Sequence, residues 1–170
     1  MVTASSAAIL VVLLQHPAWA DRHATSEQRE RALAPVAIAI AEASRDTTDA
    51  ALLVALGLHE SGFASGVVHG VCRAGECDGG KARGSWQLHQ SACREAWALD
   101  AGTDGSIAAE ARCAIRQLRY HGWRCREHAL SPTVGAFSGG ASCHWLGAEA
   151  RVRTARRIVV ELRRAEASGS

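Results

Sequence analysis

The chain has 170 residues, 48% of them hydrophobic and 21% charged, and a formal net charge of +2. That length sets one domain with a core of its own, and the composition excludes a disordered or low-complexity chain. No segment is apolar over the ~20 residues that a membrane span needs, so stable membrane insertion is not expected. The small net charge conceals a split, with 8 basic and 13 acidic side chains in residues 21–110 and 11 basic and 4 acidic in residues 111–170.

Residues 1–20 carry no charged side chain. Their apolar run, 7–14, leads to Ala18-Trp19-Ala20 and then Asp21, a small-x-small pattern that reads as a secretory signal peptide despite a start without Lys or Arg. Export and a single mature domain, 21–170, are therefore expected. Ser26–Ser44 has the periodicity of an amphipathic helix, with Glu27 and Glu30 in its first turn and Pro35 as a point of division. Thr47, Thr48 and Asp49 offer a cap for a second helix, Ala50–Glu60. From Ala50 to Leu58 that helix has almost no polar face, which places it in the middle of the domain. Its C-terminal end then delivers His59 and Glu60 out of the core.

Glycines at 62, 66, 70, 75, 79, 80 and 84 break any period between Ser61 and the following segment, which reads as loop. Ser91–Ala98 is expected as a short helix. Asp104–His121 is expected as a longer one, with Ile107, Ala111, Ala114, Ile115 and Leu118 on one face. Pro132–Phe137 reads as another short helix. The last, Gly147–Ala165, carries Val152, Ala155, Val159 and Leu162 on one side. Its arginines lack interleaved aromatics, so they read as a solvated face rather than a nucleic-acid surface. The fold class is mainly α, and nothing in the pattern asks for more than a monomer.

All six cysteines follow residue 20. In an oxidising compartment they give up to three disulfides among about 15 pairings, and neighbours in order are the expectation: Cys72–Cys77, Cys93–Cys113 and Cys125–Cys143. Zinc is the rival use, through His69, Cys72 and Cys77 or through His121, Cys125 and His128. Neither set has the paired C-x2-C spacing of a structural site, so no metal or other cofactor is expected.

Two segments carry chemistry. Leu58–Phe63 (LHESGF) ends the apolar helix with one carboxylate, and Ala82–His89 (ARGSWQLH) follows with a glycine turn and the amide of Gln87. Cleaving a glycosidic bond needs a proton for the leaving oxygen, from a carboxylic acid kept protonated by apolar surroundings. Glu60 suits that role, with Phe63 and Trp86 as expected neighbours; the alternative is a helix end facing water. A zinc-protease H-E-x-x-H motif fails because its last position is Phe63.

Residues 49–146 resemble the lysozyme-like domain of soluble lytic transglycosylases, which are related to goose-type lysozymes. The family's E-S-x-F is matched by Glu60, Ser61, Gly62 and Phe63. Its G-x-x-G-L-M-Q segment is matched by Ala82 to Leu88. A helix with spaced alanines follows, like Ala108–Leu118, and Gly135–Gly140 is similar to A-x-Y-N-x-G. The resemblance implies a lysozyme-like helical domain with glycine-rich active-site loops, stabilised here by disulfides. It implies cleavage between N-acetylmuramic acid and N-acetylglucosamine in peptidoglycan glycan strands. Glu60 would be the single acid and base, and Ser61 and Gln87 would shape the site.

Phe137 and Ser138 stand where the family has Tyr-Asn, and Ser85-Trp86 where it has Leu-Met. Those departures leave three outcomes: closure of a 1,6-anhydro ring by the sugar's own C6 hydroxyl, lysozyme-type hydrolysis by water, or glycan binding without turnover. Glu76 and Asp78 are the candidates for a second carboxylate. Trp86, Trp97, Trp123 and Trp145 offer faces for sugar stacking or for packing, and Trp97 and Trp123 are expected in the core. Arg83 is placed to meet a glycan or peptide-stem carboxylate, or to cap a helix.

Overall fold

The structure, a computed structural model, describes residues 3–18, 21–72, 77–125 and 147–169, and it is mainly helical. Helix α1 (Ser6–Gln15) starts at Ser5, whose hydroxyl accepts from the Ala8 N–H. Its Ile9, Val12 and Leu13 are almost completely shielded from solvent. In the full chain, then, the run that reads as a leader packs against α2 (Ser26–Ala43) and the last helix. A mature chain starting near Asp21 lacks those side chains.

Helix α2 opens with a reciprocal cap: Thr25 Oγ1 accepts from the Gln28 N–H, and Gln28 Oε1 accepts from the Thr25 N–H. Contrary to the expected division, α2 runs unbroken through Pro35. Proline inside a helix costs about 3 kcal/mol. Burial of Leu33, Val36 and Ile40 along the same stretch, at roughly 1.5–3 kcal/mol each, outweighs it.

Helix α3 (Thr47–Glu60) is capped by Asp46 rather than by the residues expected, because one oxygen of that carboxylate reaches both the Thr48 and the Asp49 N–H at 2.8 and 2.9 Å. Asp49 instead accepts from the Arg45 N–H and from Arg119. Every residue from Ala50 to Gly57 is buried, as the unbroken apolar pattern requires. At the far end the Ser61 and Gly62 N–H groups both bond the Gly57 carbonyl, which closes the helix.

The glycine-rich segment contains short elements that its sequence does not announce. Helix α4 (Ser65–Val68) is held at its start by Asp21, which accepts from the Ser65 N–H and hydroxyl. A tight turn, α5 (Cys77–Gly80), leads into β1 (Ala82–Arg83), antiparallel to β2 (Leu88–His89). Strands of two residues are too short to show alternation. Helix α6 (Arg94–Trp97) begins three residues later than expected, after Cys93.

Helix α7 (Asp104–Cys125) buries the predicted face, and α8 (Ala148–Gly169) completes the described chain. In α8 Ile158 is in the core and Val159 only borders it. The core lies where α3 packs on α8, α2 on α7, and α1 across α2 and α8. Two expected disulfides are formed, Cys72–Cys77 and Cys93–Cys113. Cys143 and the side chain of Cys125 lie outside the described residues, as do Trp19, Glu76, the segment 132–137, Phe137, Ser138 and Trp145. Among the described residues no helix is long and apolar enough to cross a membrane.

Candidate active site

The two motifs, far apart in sequence, meet in space. Ser61 Oγ donates to the Ser85 carbonyl at 2.8 Å and accepts from the Phe63 N–H at 3.0 Å. One hydroxyl therefore ties the end of α3 to the turn between β1 and β2. Phe63 folds back over α3, where a Cβ on Gly57 would lie 2.1 Å from its ring; only glycine lets the ring approach so closely. Trp86 packs edge-to-face on Phe63 at 6.2 Å, and its indole N–H donates to the Leu53 carbonyl at 2.9 Å.

Those contacts correct one expectation. Trp86 is 1% exposed, so it anchors the turn to α3 and does not line a groove. Gln87 also turns inward: its Nε2 donates to the Gly84 carbonyl at 3.0 Å. Phe63 and Gln87 both adopt positive φ, 53° and 48°. For residues with a Cβ that conformation costs of order 1–3 kcal/mol and persists only where the surroundings impose it. Here the surroundings are Ser61, Trp86 and the Gly84 carbonyl.

Glu60 is 19% exposed and lies at the end of the buried helix, as expected. It also has a partner that its sequence does not announce. Arg151, the fourth residue of α8, donates to Glu60 Oε1 through Nη2 at 2.9 Å and Nε at 3.3 Å. One helical turn on, Thr154 Oγ1 donates to the Ala150 carbonyl and so accepts from His59 Nε2, at 2.9 Å. Burial, reinforced by the Arg151 charge, pushes the His59 imidazole below its ordinary value. Helix α8 thus clasps both polar residues at the end of α3. The arginines of α8 read as a solvated face in sequence, yet Arg151 shares a stripe with Ala155, Ile158 and Leu162 at helical spacing. That register is the signal that distinguishes it from its neighbours.

Arg83 does not face outward. Its Nη2 donates to the Ala96 carbonyl at 2.8 Å, its Nε lies 3.4 Å from Glu110 Oε1, and its guanidinium lies 5.7 Å from the centre of the Trp97 ring. It is no free anion receptor; of the two roles expected it takes the second, capping the C-terminal end of α6 through the Ala96 carbonyl. Glu110, which sequence reasoning passed over, is 2% exposed. Burial raises its carboxyl to about 7 despite the opposing pull of the Arg83 charge and the Ser85 backbone. The signal was an acid at i+3 from Ile107 on the buried stripe of α7.

The other candidates separate. Asp78 is exposed and pairs with His89 at 3.7 Å. Trp97 is partly buried and donates to the Leu88 carbonyl at 3.0 Å. Trp123, expected in the core, is 66% exposed and lies 6.2 Å from the Tyr120 ring. It lies beyond Leu118, the last buried position of α7 among the described residues. Cys72 and Cys77 are joined to each other, which removes the thiolates from one zinc set. Among the described residues no group of three His, Cys, Asp or Glu side chains could hold a metal ion. No family model, curated protein or solved structure matches the chain.

Proposed function

We propose that the chain is an exported, lysozyme-like glycosidase that cleaves peptidoglycan between N-acetylmuramic acid and N-acetylglucosamine, with Glu60 as its acid. The observation that carries this reading is the Ser61–Ser85 hydrogen bond, which brings the glutamate-bearing helix end and the glycine turn into one site. A buried apolar helix that ends in a partly shielded carboxyl, beside a turn rich in backbone polar groups, is suited to hold and protonate a sugar oxygen.

In this reading Glu60 protonates the bridging oxygen as the C1–O bond breaks. The carboxylate then takes a proton from the C6 hydroxyl, which closes on C1 to give the 1,6-anhydro product. In the hydrolytic alternative the proton comes from water and the product carries a reducing end. Either route requires Arg151 to loosen its hold on Glu60 as substrate enters. Ser61 keeps the turn in register, and Gln87 stiffens it from inside.

A second reading, glycan binding without turnover, is favoured by the Glu60–Arg151 ion pair, which occupies the reacting carboxyl in the resting chain. Digestion of purified sacculi followed by mass spectrometry of the released muropeptides separates the readings. Anhydro-muropeptides identify the transglycosylase and reducing ends the hydrolase. Binding to sacculi with no release contradicts catalysis.

A further inference from the structure

Glu110 has a position that packing alone does not explain. An acid inside the core is retained against the cost of burying it, and its Oε2 has no hydrogen-bond partner. It lies behind Gly84, where a Cβ would come within 1.7 Å of Oε2, at a φ of +71°. The glycine therefore serves two needs, a left-handed turn and room for the carboxyl. From there Glu110 meets Arg83 on one side of Gly84, with Nε at 3.4 Å from Oε1, and fills the space behind Gly84 itself, next to Ser85. The carbonyl of the same Ser85 accepts from Ser61, the residue next to Glu60.

We propose that Glu110 is a positioning residue for the candidate active site. It holds the Gly84 turn from inside the core and, through Ser85 and Ser61, fixes where the end of α3 presents Glu60. This rests on the reading of Glu60 as the acid. The turn is also tied to α3 by Trp86 to the Leu53 carbonyl, and to α6 by Arg83 to the Ala96 carbonyl and by Trp97 to the Leu88 carbonyl. Cys93, the residue that precedes α6, is in turn bound to Cys113 of α7. Glu110 is therefore the link that joins α7 to the centre of the turn rather than to its ends. The charged group that faces it is Arg83, from β1. Because its carboxyl is held up to about 7, the link titrates in the neutral range.

The test uses the full-length chain with its disulfides intact and two readouts. In the first, the indole N–H signals of Trp86 and Trp97 are followed by NMR across neutral pH. Wild type should show the Trp97 signal shifting with a midpoint of about 7, and Glu110→Gln should abolish that shift. In the second, Glu110→Ala should lower kcat on sacculi by about 100-fold, the loss expected of a misplacement of about 1 Å. KM should hardly change, and Glu110→Gln should recover most of kcat and flatten its pH profile. A Trp97 shift that persists in Glu110→Gln overturns the proposal, as does wild-type kcat in Glu110→Ala. If Glu110→Ala fails to fold, the isosteric Glu110→Gln decides alone. A wild-type chain without lytic activity would remove the proposed function, and the indole titration would still decide whether Glu110 governs the turn.

Discussion

Glu110→Gln removes a titrating group from the core while keeping its shape, and its effect on stability can be worked out in sign and size. Burial raises the Glu110 carboxyl from 4.5 to about 7, although Arg83 and the Ser85 backbone pull the other way. An acid raised by folding binds its proton more tightly in the native state. Its contribution is complete below the unfolded value and is lost as pH rises through about 7. Each tenfold change in proton affinity is worth about 1.4 kcal/mol, so ionising Glu110 costs the native state about 3 kcal/mol between acid and alkaline conditions. Glutamine carries no charge and escapes this loss. His59 and His121, which burial holds below the ordinary histidine value, act in the opposite sense and are common to both proteins. The difference between the two proteins therefore isolates Glu110. Urea unfolding at about pH 5 and about pH 9 should show the wild type losing ground to the variant by roughly 1–3 M in midpoint, given typical slopes. Parallel pH dependence in the two proteins would refute the reasoning.

Other substitutions test the contacts around the turn. Gly84→Ala sets a Cβ against Glu110 Oε2 at a left-handed φ, and should lower stability by about 1–3 kcal/mol in thermal or urea unfolding. Ser61→Ala removes the bond to the Ser85 carbonyl; circular dichroism should show an intact fold, with a loss of about 1 kcal/mol and a clear fall in lytic rate. Replacing both Cys93 and Cys113 by serine opens a loop with a sequence separation of 20, and should cost roughly 3 kcal/mol. A chain beginning at Asp21 lacks Ile9, Val12 and Leu13, which are buried in the full chain, and should melt well below the full-length protein.

What could be read from sequence, and what could not, follows from the range of the interactions. Helix α3 was legible because eight consecutive buried residues leave one solution, and α7 because its apolar spacing is regular. The continuity of α2 through Pro35 was not, because it depends on what Val36 and Ile40 bury against. The pairing of Cys93 with Cys113 follows chain order, so proximity predicted it. The acid at position 60 was found from its place at the end of an apolar helix. Its partner Arg151 was missed because an arginine among arginines reads as surface, and only register against Ile158 sets it apart. Glu110 was missed for the mirror reason: one acid on an apolar stripe looks like an exception until Gly84 and Arg83 are placed around it. For Trp86 and Arg83 the sequence leaves ligand contact and an internal role both open, because it gives residue type without direction. The structure turns both inward, to the Leu53 carbonyl and to Glu110.

The most direct test of the central claim compares the wild type with Glu60→Gln in releasing muropeptides from purified sacculi, with unfolding curves as a control for the fold. The account predicts release by the wild type, and loss of turnover in a variant that remains folded and still binds the wall. Undiminished release by Glu60→Gln would contradict it.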